Sequence, residues 1–134
     1  MEEIHLTAKI GQYGLIRNGK NEILVLQKSS NGNYCLPGGR INEGEDWFDA
    51  LRRELAEELK IDVTEAKPFD VGIIVQSHQI RYCIFFIIKT DPNLGIELTQ
   101  EHSEYQWVGA EELKSIQFEQ DLFATVCKKL LGSS

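Results

Sequence analysis

Basic side chains are scarce in this chain. Lysine and arginine total 14 against 21 aspartates and glutamates, a net charge of −7. Binding to nucleic acid or to an anionic membrane needs a basic patch, so neither partner is expected. Cysteine is sparse as well. Cys35, Cys83 and Cys127 are odd in number and widely spaced, and no CxxC or Cys/His metal pattern links them. Cys83 and Cys127 sit in apolar or helical runs and read as small buried hydrophobes, which fits a reducing, cytoplasmic setting. Long apolar runs are missing too. The longest, Tyr82 to Ile88, is far too short to span a bilayer. The acidic start MEEIHLTAKI has no hydrophobic region of a signal peptide. There is no internal repeat, low-complexity tract or interdomain linker. The 134 residues, 42% of them apolar, suit one domain over 1–134 with a real core.

What is present reads as alternating strands and helices. Ile4 to Ile16 alternates loosely and predicts an early strand, and Glu22 to Gln27 predicts a clearer one after the turn Asn18 to Asn21. A polar loop, Ser29 to Asn33, leads through Tyr34 to Pro37 into the pair Gly38-Gly39. The spacing then predicts a helix from Trp47 to Leu59, with Asp46 as its N-cap. Val71 to Gln76 and Arg81 to Lys89 predict two adjacent strands. The second is apolar almost throughout, so a central position covered on both faces is expected. Asp91 to Glu101 reads as a loop, Tyr105 to Val108 as a short strand, and Ala110 to Ile116 and Phe118 to Leu131 as helices. Such an order implies a layered α/β domain.

The helix carries an unfavourable feature. Phe48, Leu51, Leu55 and Leu59 fall on one stripe, and Glu54, Glu57 and Glu58 centre roughly 110° from it. Like charges three and four apart repel by roughly 0.2–0.5 kcal/mol per pair. Glu57 and Glu58 also oppose the negative pole of the helix. Two readings account for the cluster. One is a solvated acidic face, screened by Arg52 and Arg53. The other is a site for a hard cation, which takes oxygen ligands and bridges an acidic protein to an acidic substrate. Gly38 and Gly39 suit close approach of backbone to a ligand, and equally a plain turn.

The whole segment from Gly39 to Ile61 resembles the Nudix box, Gx5Ex7REUxEExGU with U a bulky aliphatic residue. Gly39 opens it, Glu45 follows after five residues, and seven more lead to Arg53-Glu54-Leu55-Ala56-Glu57-Glu58-Leu59-Lys60-Ile61. Every charged position matches. One position departs: Lys60 stands where the family has glycine, so either a left-handed lysine there costs about 1 kcal/mol or the helix end is drawn differently.

The resemblance implies a Nudix-type α/β/α sandwich with a mixed central sheet. It implies Mg²⁺-dependent hydrolysis of a nucleoside diphosphate linked to another group, with Mn²⁺ as a substitute and water attacking phosphorus. Glu57 and Glu58 would then be metal ligands, Glu54 a metal ligand or general base, and Arg53 the residue that orients a glutamate. The Gly39 backbone would lie beside the metal, with Gly38, Gly39 and Arg40 facing substrate. Glu45 would sit in the outer shell. Relatives often add a glutamate before a late strand. Glu97, Glu101 and Glu104 qualify, and Glu101 is favoured in EHSEYQWV. His102 beside it reads as solvent-exposed. Trp47, Tyr105 and Trp107 could stack on a base, or simply pack.

Markers of particular subfamilies are mostly missing. Gln76 and Ser77 stand near the place of the proline of ADP-ribose enzymes. A dinucleoside-polyphosphate tyrosine is absent unless Tyr82 serves. The analogy with short chains favours a nucleoside triphosphate or an oxidised form of one. ADP-ribose or nucleotide-sugar hydrolysis, and a silent nucleotide-binding module, are the alternatives. Exposed apolar positions in the first strand, and the frequency of dimers in the family, point to a homodimer.

Overall fold

The computed structural model describes residues 2–90 and 95–132. The early strand is shorter than the alternation suggests. It runs Lys9–Leu15 (β1), and Ile4 and Leu6 lie ahead of it, exposed. The next strand is Ile23–Lys28 (β2). Two short strands follow that sequence patterning did not separate from loop, Tyr34–Cys35 (β3) and Gly38–Arg40 (β4). The helix Trp47–Leu59 (α1) has the expected bounds.

The strand expected from Val71 begins much earlier, at Val63, and runs to Gln76 (β5); its partner is Gln79–Thr90 (β6). Pro68 conceals the first half of β5 in the sequence. It is accommodated on the sheet edge, beside a register shift between Pro68 and Asp70. Part of the expected 91–101 loop, residues 91–94, lies outside the described residues. The last strand is His102–Val108 (β7), longer than Tyr105 to Val108. The expected helix at Ala110 to Ile116 is a single 3₁₀ turn, Glu112–Ser115, and the final helix starts three residues late, at Asp121–Leu131 (α2).

The strands form two sheets. One is mixed, in the order β4-β1-β6-β5, with β1 parallel to β6 and the other pairs antiparallel. The other is antiparallel, in the order β3-β2-β7. The apolar strand β6 is central, as its composition predicts.

Adjacent residues of β1 and β6 point to opposite faces of the mixed sheet, and each face has its own helix. Tyr13 and Phe85 meet Phe123 of α2, at ring separations of 4.9 and 6.0 Å. On the other face, Phe86 stacks on Trp47 of α1 at 5.0 Å, and a side chain at Gly14 would meet Leu55. Trp47 is therefore engaged in packing. The sandwich follows from this alternation. Leu51, Leu55 and Leu59 are fully buried, each contributing about 1.5–3 kcal/mol.

α1 is held at both ends. The Asp46 carboxylate accepts from the Phe48 N–H at 3.1 Å. Lys60 closes the helix at φ 59°, ψ 35°, donating its N–H to the Ala56 carbonyl at 3.0 Å. Of the two outcomes left open for Lys60, the lysine takes the left-handed one.

Candidate active site

β4 and α1 face each other across the start of the acidic segment. Gly39 pairs in register with Gln12 of β1, and a Cβ at Gly39 would lie 2.5 Å from the Glu54 carboxyl carbon. Only glycine leaves room for that carboxylate. Gly38 is constrained differently. Its φ is +145°, a Cβ there would overlap the Gln12 carbonyl, and its N–H donates to Glu58 Oε1 at 2.7 Å.

Arg53 organises the outer acids. Its Nε and Nη2 fork onto the two Glu45 oxygens at 2.7 and 2.8 Å, and its Nη1 reaches Glu54 Oε1 at 3.0 Å and Glu57 Oε2 at 3.5 Å. Nη2 also reaches the Arg40 carbonyl at 3.5 Å. Glu45 in turn accepts from the Asn42 N–H at 2.8 Å. Charge-assisted forks of this kind fix geometry as well as adding energy. Arg53 holds Glu45 below the usual carboxylate range. Burial pushes Glu54 up, against the pull of Arg53.

The three clustered glutamates have different surroundings. Glu57 is exposed, Glu54 is half-buried and Glu58 is buried. Burial pushes Glu58 up to about 8; the Gly38 N–H opposes this, and Glu54, Glu101 and Glu57 reinforce it. No lysine or arginine contacts Glu58 among the described residues. A buried carboxylate with acidic neighbours is poorly satisfied without a cation.

Of the three loop glutamates, the fold brings Glu101 to this point. Ligand atoms of Glu58, Glu101 and His102 all lie within 4.8 Å of one another. Glu97 meets the end of α1 through its backbone, donating to the Leu59 carbonyl. Glu104 lies near the Tyr34 hydroxyl, at 3.4 Å. Oxygen donors predominate, and they fit a hard divalent cation.

His102 corrects the expectation of an exposed side chain: it is only 4% exposed. The cause is a bulge. The pairing of β7 with β2 shifts by one residue between Gln27↔Glu104 and Lys28↔His102, leaving Ser103 extra. Strict alternation would place His102 with the exposed Glu104 and Gln106. The extra residue re-aims it inward. No periodicity in the sequence reveals that.

A cavity opens beside Glu58, Glu101 and His102. Tyr13, Phe123, Arg81, Lys28 and Glu119 line its walls, and Gly38 reaches it. Lys28 pairs with Glu119 at 2.8 Å, and Arg81 donates to the Tyr13 hydroxyl at 3.1 Å. Arg40 is not in this cavity; it lines a separate depression with Gln76 and Arg81. Tyr105 is partly exposed on β7, and Trp107 packs against the core.

The family model described as NUDIX domain matches residues 8–127. The chain belongs to the Nudix family. The box, α1 and both sheets all lie within the matched span. The MutT protein of Methanosarcina mazei Go1 superposes with a TM-score of 0.82 at 26% identity, covering 96% of each chain. A nucleoside triphosphatase NudI of Klebsiella pneumoniae is 34% identical over 94 residues, 63% of this chain and 66% of the relative. A U8 snoRNA-decapping enzyme of Homalodisca vitripennis is 34% identical over 65 residues, 47% of this chain and 35% of the relative. Of several such curated Nudix relatives the chain spans well under half the length. No helix among the described residues is long and apolar enough to cross a membrane.

Proposed function

We propose that this Nudix domain hydrolyses a diphosphate bond in a nucleoside diphosphate-linked compound, with a nucleoside triphosphate or an oxidised nucleotide as the favoured substrate. The observation that carries the proposal is the buried Glu58, contacted by no lysine or arginine among the described residues and joined by Glu101 beside a polar cavity. Glu54, Glu57, Glu58 and Glu101, with the Gly39 backbone alongside, are the residues that would hold Mg²⁺, or Mn²⁺ in its place. When bound, the cation supplies charge neutralisation for the phosphates and a more acidic bound water.

The chain's own residues do the positioning. Arg53 restrains Glu54 and Glu57 from one side and leans on Glu45 for its own orientation. The Gly38 N–H restrains Glu58. Glu54, half-buried with a raised pKa, suits either a ligand or a proton acceptor from water. Arg81 and Lys28 give the cavity positive groups for an anionic nucleotide, and Tyr13 and Phe123 give it apolar wall. The 34% identity to a nucleoside triphosphatase supports the choice of substrate class.

The test is a panel of ordinary and 8-oxo nucleoside triphosphates, ADP-ribose, nucleotide sugars and dinucleoside polyphosphates. Each is incubated with Mg²⁺ or Mn²⁺ and resolved by chromatography. Selective, metal-dependent cleavage that disappears in the Glu57→Gln, Glu58→Gln double variant is expected. Binding without cleavage of any compound would point instead to a silent nucleotide-binding module.

The proposal extends to a homodimer. The exposed apolar residues favouring it are Ile4 and Leu6 ahead of β1, together with Val71, Ile73 and Val75 on the edge strand β5, rather than residues within β1. Light scattering should give twice the chain mass; the single-chain mass would reject pairing.

A further inference from the structure

Two side chains among the described residues bury polar atoms with no hydrogen-bond partner: Gln12, through both amide atoms, and His102, through Nδ1. The His102 ring has its other nitrogen in contact. Nε2 lies 3.8 Å from Glu58 Oε2 and 3.6 Å from Cys35 Sγ.

A neutral imidazole has one N–H and one bare lone pair. With the hydrogen on Nδ1, a buried donor would have no acceptor, at a cost of about 1–3 kcal/mol. The Nε2 lone pair would then also face a carboxylate oxygen. With the hydrogen on Nε2, the N–H faces Glu58 Oε2, with the thiol as a weak second acceptor. Nδ1 is then only an unpartnered lone pair, which interiors tolerate better than an orphaned N–H. With Glu58 ionised, as it is when it ligates a cation, the surroundings therefore select the Nε2–H form. Glu58 then has a donor facing each oxygen: the Gly38 N–H at Oε1, and His102 at Oε2.

We propose that His102 is a positioning residue for the Glu58 carboxylate, holding Oε2 through Nε2–H so that Glu58 and Glu101 present a fixed pair of oxygens to a divalent cation. This rests on the reading of those carboxylates as a cation site. The 3.8 Å separation must close by about 0.8 Å to become a hydrogen bond. Such contacts are commonly long in the free protein and tighten on loading. Partners that orient a ligating residue are worth about 10–100-fold in metal affinity.

Two amides separate the two ring nitrogens. A glutamine side-chain nitrogen reaches the place of Nε2, and an asparagine nitrogen that of Nδ1. The experiment is calorimetric titration of Mn²⁺ alone into wild type, His102→Leu, His102→Gln and His102→Asn, with folding checked by circular dichroism. Leucine should weaken Mn²⁺ binding about 10-fold or more. Glutamine should restore most of the loss, and asparagine should not.

Unchanged affinity in His102→Leu would overturn the proposal, as would glutamine no better than asparagine. Should leucine fail to fold, the glutamine–asparagine comparison carries the test. Electron spin-echo spectroscopy of the Mn²⁺-loaded wild type should show no directly bonded nitrogen. A bonded nitrogen would make His102 a ligand and overturn the positioning role. A wild type that binds no Mn²⁺ would remove the cation reading itself. Normal wild-type binding that ignores His102 would remove only the positioning role.

Discussion

Arg53 and Glu45 are joined by two parallel hydrogen bonds, 2.7 Å from Nε and 2.8 Å from Nη2. The same guanidinium touches Glu54 and Glu57. Glu45 thus acts on the two glutamates through Arg53. A lysine keeps the charge but cannot fork. Arg53→Lys is expected to lower Mn²⁺ affinity about 10–100-fold, as lost orienting partners do. Calorimetry on Arg53→Lys and Glu45→Gln checks this, and the two variants should weaken binding together.

Glu58 makes metal-free stability depend on pH. Its folded pKa is pushed up to about 8 by burial, above its value in the unfolded chain. The folded form therefore holds this proton more tightly. The associated stability is fully present below the unfolded carboxyl pKa, about 4.3, and is lost as pH rises through the folded value. In chelator-treated protein, the melting temperature should fall more between pH 5 and pH 9 in wild type than in Glu58→Gln. Added Mn²⁺ should narrow the difference at the alkaline end.

Lys60 holds a left-handed conformation, φ 59°, that a glycine adopts without strain. Lys60→Gly is expected to raise stability by about 0.5–1 kcal/mol, since relief of the αL strain is partly offset by the greater freedom of glycine when unfolded. For a domain of this size that is roughly 2–6 °C in melting temperature. Turnover should not change, because the lysine side chain is exposed and away from the cavity. Differential scanning fluorimetry beside a turnover assay checks both halves.

Gly39 has the opposite balance. A methyl group there meets the Glu54 carboxylate, the mobile end of a side chain and not backbone. Glu54 can move, so Gly39→Ala should fold with a modest loss of melting temperature and lose most metal-dependent turnover. Gly38→Ala should unfold more readily, because its Cβ would overlap the Gln12 carbonyl at a φ that L side chains rarely adopt.

The bounds of α1, its N-cap and its leucine stripe were legible in the sequence, because each depends on neighbours within one or two turns; whether Lys60 would take the left-handed end was left open until the fold showed it. The box spacing was legible for the same reason, and with it the family. Longer-range features were not. The first half of β5 is masked by Pro68 and becomes a strand only because an edge position and a register shift accommodate it. β4 is three residues long, Gly-Gly-Arg, with no β propensity of its own, and it exists because β1 supplies a partner.

The sequence by itself therefore determined which residues form the acidic helix face and what family they belong to. It could not rank those acids. Tertiary structure alone decided that Glu58 is buried while Glu57 is not, and that a bulge at Ser103 turns His102 inward, whereas Glu101, which the fold brings to Glu58, was already the favoured loop acid. Spacing along a helix fixes relative direction only. Burial, and the pKa that follows from it, depends on which strands close over that direction.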